Sequence, residues 1–532
     1  MGRTDLATLS SQRLGQRSAQ GKRLPHRDGK GLERLHVQIT RGSQQLGLAR
    51  PHAHLPRHAG SLKTDGQHRP TIGTENLECR VKRKAGRKPQ AHHVDHLGHL
   101  TEQHPRRAAR PNRALHSRGQ GIDHRAARSN DQYRIEVKDY SEYNNDQDGW
   151  DAGQTKLNTE ILSGNLPDIF CLNGLNYRQL ASKGLLEDLY PYIDADSELS
   201  RDDFFPSVLQ AFEENGKLCT TLSGIYINSV IGASSVVGDT PGWTYDEFNA
   251  ALASMPEGCT AFDQYTTKAD ILQTCLALDM DSFVDWGTGK CSFDSQQFID
   301  LLNFANSFPS EFDWENHEWT DEDDTSNRLA QGKQMLVRTS AYSIDDIFYN
   351  NYTASLGGKI TYIGYPTNSG TGNMVSLDGS GYAMSAKSQY KDAIWQFLRQ
   401  FFTKEYNEGR YALSSRIDVF DEKAKEATTI QYQKDNDGNY LLDENGEKIP
   451  VVRLTMWNNT TGEPQEIYAL DAEQVAQIRE LIETTTKAAD YNDSIFNIVN
   501  EQAAAFFEGQ KTAEDVARLI QSKANIYVNE QR

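Results

Sequence analysis

The five residues Asp168 to Leu172, DIFCL, form a short apolar run between a Gly-Asn-Leu-Pro turn and an Asn-Gly break. A run of that length, bounded by turn residues, predicts a strand buried on both faces. Helical sequence flanks it: Thr155 to Leu162 leads in, and Tyr177 to Leu186 follows with Tyr177, Leu180, Ala181 and Leu185 at spacings of three and four. A buried strand between helices is the unit of a doubly wound α/β sheet, in which ligands lie beyond the carboxyl ends of the strands. Here that end is Leu172-Asn173-Gly174, so Asn173 is a candidate contact.

The chain divides into two polymers of opposite character. Residues 1–130 carry 26 Lys+Arg against 9 Asp+Glu and 13 of the 14 histidines, but none of the 50 aromatic residues. The remainder carries 30 basic against 65 acidic residues. Without aromatic side chains the first part lacks the apolar surface to offset chain entropy, so it is expected to be disordered. Three readings of it stand open. RVKRKAGRKP, Arg80 to Pro89, has the composition of an arm for nucleic acid or an anionic surface, and HHVDHLGH places His92 and His96 four apart, a metal-chelating spacing on a helix. The third, which the composition favours, is a wrong-frame or antisense translation joined to a genuine coding sequence.

The run ILSGNLPDI, the KGLLEDLYPYID that follows, and the close QSKANIYVNEQ (Gln521 to Gln531) together resemble the extracellular solute-binding proteins of bacterial ABC importers, sugar-type branch. The resemblance covers Tyr133 to the C-terminus. It implies an α/β, two-lobed periplasmic-binding-protein-like fold with a hinge, a carbohydrate ligand, a membrane permease as partner, no cofactor and no metal. Members of this family ordinarily start with a signal peptide, a lipid-attachment cysteine, a first strand and a first helix. No apolar run lies near Met1, and Cys79 sits in ENLECRVK and not after small residues. The expectation is therefore an N-terminal lobe lacking its first strand and helix, which with a 2-1-3 strand order would leave two unpaired edges, in a protein that is lipid-anchored at the cell surface when intact. The expected organisation is an arm at 1–131, a first lobe at 132–222 plus 376–425, and a second at 223–375 plus 426–532.

Along the lobes, aromatic and small residues in loops mark candidate ligand contacts. A pyranose has an apolar face and a hydroxyl rim, which an aromatic and polar pocket matches. In DYSEYNND, Tyr140 and Tyr143 could both stack on a sugar, the alternative being that Tyr140 is packed and only Tyr143 points to the cleft; Asn144 is a candidate beside them. The resemblance implies that the first crossing between lobes falls at Leu222-Ser223-Gly224, which makes Ser223 a candidate at the hinge. Trp286 stands in a turn-rich loop, where a ligand role and core packing are equal alternatives. The resemblance carries a sugar-stacking role to Tyr342 and, with it, Asp345; the return crossing LDGSGYAMSAKS adds Gly379 and Tyr382. Thr244 with Glu247 predicts a capping box, so Trp243 reads as structural. Gln433 to Glu444 has calcium-loop spacing, but Gln433 at the first position and strand-like flanks favour a hairpin with Asp-Gly and Asn-Gly turns.

Five cysteines follow the arm, and Cys259 and Cys291 fall in loops that an exported protein could join. From Tyr133 on there is no CxxC, HExxH or Walker loop, and His317 is the only histidine, which argues against a His-dependent triad or a zinc enzyme. The rival class is a carbohydrate-active enzyme using paired carboxylates. A binder of a non-sugar solute is the other alternative. The acidic run Thr320 to Asp324 precedes a predicted helix and reads as favouring its N-terminus.

Overall fold

The computed structural model describes residues 34–40, 76–82, 133, 135–144, 152–346, 352–370, 372–458 and 463–531. His92 to His99 lie outside the described residues. The first lobe is built on a five-stranded sheet in the order Tyr382–Met384, Ile169–Cys171, Arg34–Thr40, Asn76–Lys82, Glu136–Asp139. Ile169–Cys171 is buried along its length, as its apolar run predicts. It pairs antiparallel with Tyr382–Met384 on one side and parallel with Arg34–Thr40 on the other.

Two short segments of the arm pair into this sheet. The slot between Ile169–Cys171 and Glu136–Asp139 is filled by two segments of the basic arm, paired with each other from Arg34↔Lys82 to Thr40↔Asn76. Both alternate apolar with polar residues, RLHVQIT and NLECRVK, and that period of two is what a strand requires.

The second sheet is organised by one strand, Gly224–Ala233. Leu336–Ala341 and Leu413–Ser414 lie antiparallel along one side of it, and Ile360–Tyr362 and Met374–Leu377 along the other. Two crossings join the sheets and bond to each other: the Thr221 N–H donates to the Tyr382 carbonyl (2.9 Å) and the Asp378 N–H to the Gly224 carbonyl (2.7 Å). A Cβ on Gly381 would stand 2.5 Å from Thr220 Oγ1, so the close approach of the crossings requires glycine. At a third crossing, Leu413–Ser414 is bonded to the second sheet while the Ser415 carbonyl accepts from the Phe205 N–H (3.1 Å) in the first lobe.

Each lobe has its own aromatic packing. In the first, Phe204 meets Phe402 edge-on (5.8 Å) and Phe205 meets Phe420 (5.6 Å). In the second, Phe298 packs edge-on against Phe283 (5.3 Å) and Phe293 (5.0 Å). Burying each such ring contributes about 1.5–3 kcal/mol. The Thr244–Glu247 capping box is formed, with Glu247 Oε2 accepting the Thr244 N–H at 2.7 Å. Helix Ala472–Thr484, which chain order groups with the second lobe, packs instead on the first, where Ser207 donates to the Ile482 carbonyl at 2.7 Å. Asp493–Phe507 and Ala513–Glu530 belong with the second lobe, where Gln521 bonds the Phe293 N–H (2.6 Å) and the Cys291 carbonyl (2.9 Å).

The Gln433–Glu444 stretch turns twice. Asp435 Oδ1 accepts from the Asp437 and Asn439 N–H groups (both 2.9 Å), and Asp443 Oδ1 does the same for Asn445 and Glu447 (both 2.9 Å). These carboxylates serve their own turns, as the hairpin reading predicts. Cys259 and Cys291 are both free thiols; Cys291 is buried, its N–H held by Asn525 Oδ1 at 3.2 Å, so the joined pair considered from the sequence is not formed. No helix among the described residues is long and apolar enough to cross a membrane.

Candidate ligand cleft

Beyond the carboxyl end of Ile169–Cys171 the chain turns through Gly174, at φ 69°, into helix Tyr177–Ser182. Asn176 caps that helix by accepting the Gln179 N–H at 3.0 Å, and its side-chain amide donates to Asp490 Oδ1 at 3.1 Å. Asp490 belongs to the other lobe, where its N–H is held by the Ala277 carbonyl at 3.0 Å. Next to Asn176, Arg178 donates to Glu214 Oε2 and to the Ala211 carbonyl, both at 3.0 Å, and its Nε lies 3.9 Å from Asp490 Oδ2. One carboxylate of the second lobe therefore faces an amide and a guanidinium of the first.

Burial dominates the electrostatics here. It pushes the Asp490 carboxyl up to about 6, against the pull of Arg178, and raises Asp279 in the same lobe to about 6 against Lys487. The 3.9 Å separation explains why the guanidinium does not win: it is too long for a hydrogen bond. Among the described residues the buried Tyr177 hydroxyl and Asp279 Oδ1 have no hydrogen-bond partner. Burial moves the Tyr177 phenol up to about 12, which keeps it a donor at neutral pH.

At the crossings three tyrosines form a row. Tyr226 and Tyr342 have ring centres 5.8 Å apart at 33°, and Tyr342 and Tyr411 are 6.1 Å apart at 31°. The Tyr342 hydroxyl donates to Asp378, which also receives Arg410, and Arg410 Nη2 donates to the Asp378 carbonyl at 3.0 Å. Burial and the Asp378 carboxylate raise the Tyr342 phenol well above its ordinary value. Behind the row, Ser340 donates to Asn228 Oδ1 at 2.8 Å. Tyr411, Arg410 and Asp345 border a depression of about 130 Å³, smaller than the ~300–1,000 Å³ of an enclosed small-molecule site.

The sequence model of the bacterial extracellular solute-binding proteins matches residues 132–437. The chain belongs to this family. No curated protein sequence matches it. Among solved structures it is similar to an extracellular solute-binding protein family 1 from Alicyclobacillus acidocaldarius, at 14% identity over 71% of this chain and 88% of that one, with a TM-score of 0.40. The sugar-binding protein MalE from Xanthomonas citri is similar at 13% identity, 72% and 89% coverage and a TM-score of 0.45. So is the ABC substrate-binding protein Lmo0181 from Listeria monocytogenes in complex with cycloalternan, at 16%, 71%, 89% and 0.41.

The candidate contacts of this solute-binding protein divide by position. Tyr342 stands in the tyrosine row, Gly379 (φ 96°) and the buried Ser223 lie on the crossings, and half-buried Asn173 lies in the turn leading to Asn176. Tyr143 is 39% exposed beside Lys156, whose Nζ is 4.7 Å from the ring centre, while Tyr140 takes the packed alternative and donates to Glu160 at 2.6 Å. Asn144 Oδ1 accepts the Gly153 N–H at 2.7 Å and so ties its loop to helix Ala152–Leu162. Asp345 is ion-paired with Arg453 at 2.6 Å.

Two candidates are buried in the cores, Trp286 as its core-packing alternative has it. Trp286 is 5% exposed in the second lobe's core, edge-on to Tyr527 at 6.3 Å, because its hairpin folds back onto the last helix. Tyr382 is 7% exposed and stacks on Phe401 at 4.9 Å, since the strand it opens turns that face inward. Missed from the sequence were Asn176, Arg178 and Asp490, and Tyr226, Asp378, Arg410 and Tyr411. An asparagine at a helix start was a legible cap signal, but nothing local marked Asp490, 314 residues away, as its partner.

Proposed function

We propose that this chain is the substrate-binding component of an ABC importer that captures a carbohydrate, an oligosaccharide, between its lobes and delivers it to a membrane permease. The observation that carries this reading is the reach of Asn176 and Arg178 across the cleft to Asp490. A ligand moves an open–closed equilibrium only through differential affinity for the two forms, so both walls must offer contacts. The cleft supplies them: amide and guanidinium from one side, a carboxylate from the other, and the tyrosine row at the hinge for the apolar face of a sugar ring. A micromolar ligand binds with about −8 kcal/mol, and only the part that differs between open and closed forms biases the hinge.

In this reading the closed form is what the permease recognises, and the intact protein is held at the cell surface by a lipid. Ser223, Gly379 and Asn173 border the ligand, Tyr342 stacks on it, and Tyr143, Asn144 and Asp345 lie on the rim. Binding without chemistry is the activity. Calorimetry of the full chain against neutral oligosaccharides, amino acids and polyamines tests this, with the sugars recovered and sized afterwards. The expected result is heat from an oligosaccharide that is recovered intact; a response to amino acids or polyamines alone, or shortened sugar products, would overturn it.

A further inference from the structure

The acidic loop between the second lobe's helices, residues 309–324, carries two exposed tryptophans, Trp314 at 59% and Trp319 at 56%. Large indoles left in water are costly unless something covers them. Other rings pack against both. Phe312 packs edge-on beneath Trp314 (4.8 Å, 76°), and His317 does the same for Trp319 (4.8 Å, 80°). Tyr265 also contacts Trp314, at 5.5 Å, and meets Phe312 at 6.0 Å. His317 Nε2 lies 3.1 Å from Asp323 Oδ1, which also accepts from Gln264 at 2.6 Å, and Asp323 Oδ2 accepts the Thr320 N–H at 2.7 Å. A side chain on this loop thus has a fixed support, reaching back to the body of the lobe through Gln264.

We infer that Trp314 and Trp319 form a second carbohydrate-contact surface, a platform for the pyranose rings of a neutral saccharide chain. The two indoles are 6.2 Å apart and inclined at only 37°, nearer to parallel than to the perpendicular walls of a cage around a cation. Around them the loop supplies eight carboxylates and no lysine or arginine. Exposed carboxylates such as Glu315 and Glu318 accept hydrogen bonds from sugar hydroxyls, and the same charge repels phosphate, nucleic acid and anionic lipid. The platform shares no residue with the cleft and rests on the chemistry of this loop alone.

Native electrophoresis of the full chain through gels containing soluble starch, xylan or glucomannan tests the platform. Retardation in at least one gel is expected, with the apparent affinity falling roughly tenfold or more in the W314A/W319A double variant. The retarding polysaccharide should also shield tryptophan fluorescence of the unsubstituted protein from acrylamide, a readout independent of whether the variant folds. No retardation in any gel, retardation that survives in a folded double variant, or unshielded fluorescence would each overturn the platform, as would a fluorescence response to choline with none to polysaccharide. Calorimetry with maltotetraose and other short oligosaccharides reads the cleft separately. Silence there with retardation intact would count against the transport reading and leave the platform standing; cleft binding without retardation would remove the platform alone.

Discussion

The two lobes reach similar packing by different economies of chain. Every strand of the second sheet is laid against one ten-residue strand, Gly224–Ala233, and its four partners come from 336–414. The first sheet gathers five strands from widely separated segments, two of them before residue 83. A sheet around one long strand carries its own template. A sheet assembled from three- to seven-residue strands depends on every neighbour being present.

The largest break in this comparison would come from deleting residues 1–131. That removes the strands at Arg34–Thr40 and Asn76–Lys82 and leaves Ile169–Cys171 and Glu136–Asp139 with open edges. The expected loss is comparable with a whole domain's stability, about 5–15 kcal/mol, and confined to the first lobe. Hydrogen exchange should show Ile169–Cys171 losing protection while Gly224–Ala233 keeps it. Equal protection in both sheets would mean that the arm contributes nothing to the fold. The converse substitution, Phe298→Ala, empties space between Phe283 and Phe293 and is expected to cost about 3–5 kcal/mol in denaturant unfolding, with second-lobe exchange accelerated first.

Much of the second lobe's scaffold was legible because its signals are local. Thr244 and Glu247 cap a helix three residues apart, and Asp435 and Asp443 turn the hairpin through their own next few N–H groups. The buried strand at Ile169–Cys171 was equally plain. The arm strands were not: the alternation of Leu35, Val37 and Ile39 is a strand signal, but it stands among arginines and histidines that dominate the composition. The cleft was the least legible part, because its contacts join residues hundreds of positions apart. Tyr226, Tyr342 and Tyr411 come from three strands or crossings, and only Tyr342 sits in a loop whose neighbours announce a site. Trp286 and Tyr382 mislead for the complementary reason, since a large aromatic near a turn is as useful to a core as to a ligand.

Smaller effects sharpen the view of how the lobes are joined. Gly381→Ala forces a Cβ to 2.5 Å from Thr220 Oγ1 at the crossing, and about 1–3 kcal/mol of overpacking is expected. Because the strain falls between the lobes, ligand affinity should weaken together with melting temperature.

Asp490 gives a pH signature. Its carboxyl is raised to about 6 in the folded protein from an ordinary 3.8, so the proton is bound more tightly in the native state. Its contribution is therefore greatest below about pH 4 and is lost as pH rises through about 6, at most ~3 kcal/mol. Asp490→Asn should flatten the profile of melting temperature against pH between about 4 and 7, relative to the unsubstituted protein. An unchanged profile would mean that the carboxylate is not buried in solution. At the bottom of the scale, Arg518→Ala removes an exposed pair with Asp515 and is expected to shift stability by less than about 0.5 kcal/mol, serving as the control for both lobes.

The central claim, that one ligand is gripped by both lobes, is tested most directly by hydrogen exchange of the full chain with and without a saturating oligosaccharide. The account predicts that amides around Asn176–Gln179 and around Asp490–Asn492 gain protection together, since the two segments face each other across the cleft. Protection of only one wall, or of neither by any sugar while an amino acid or polyamine protects both, would contradict it.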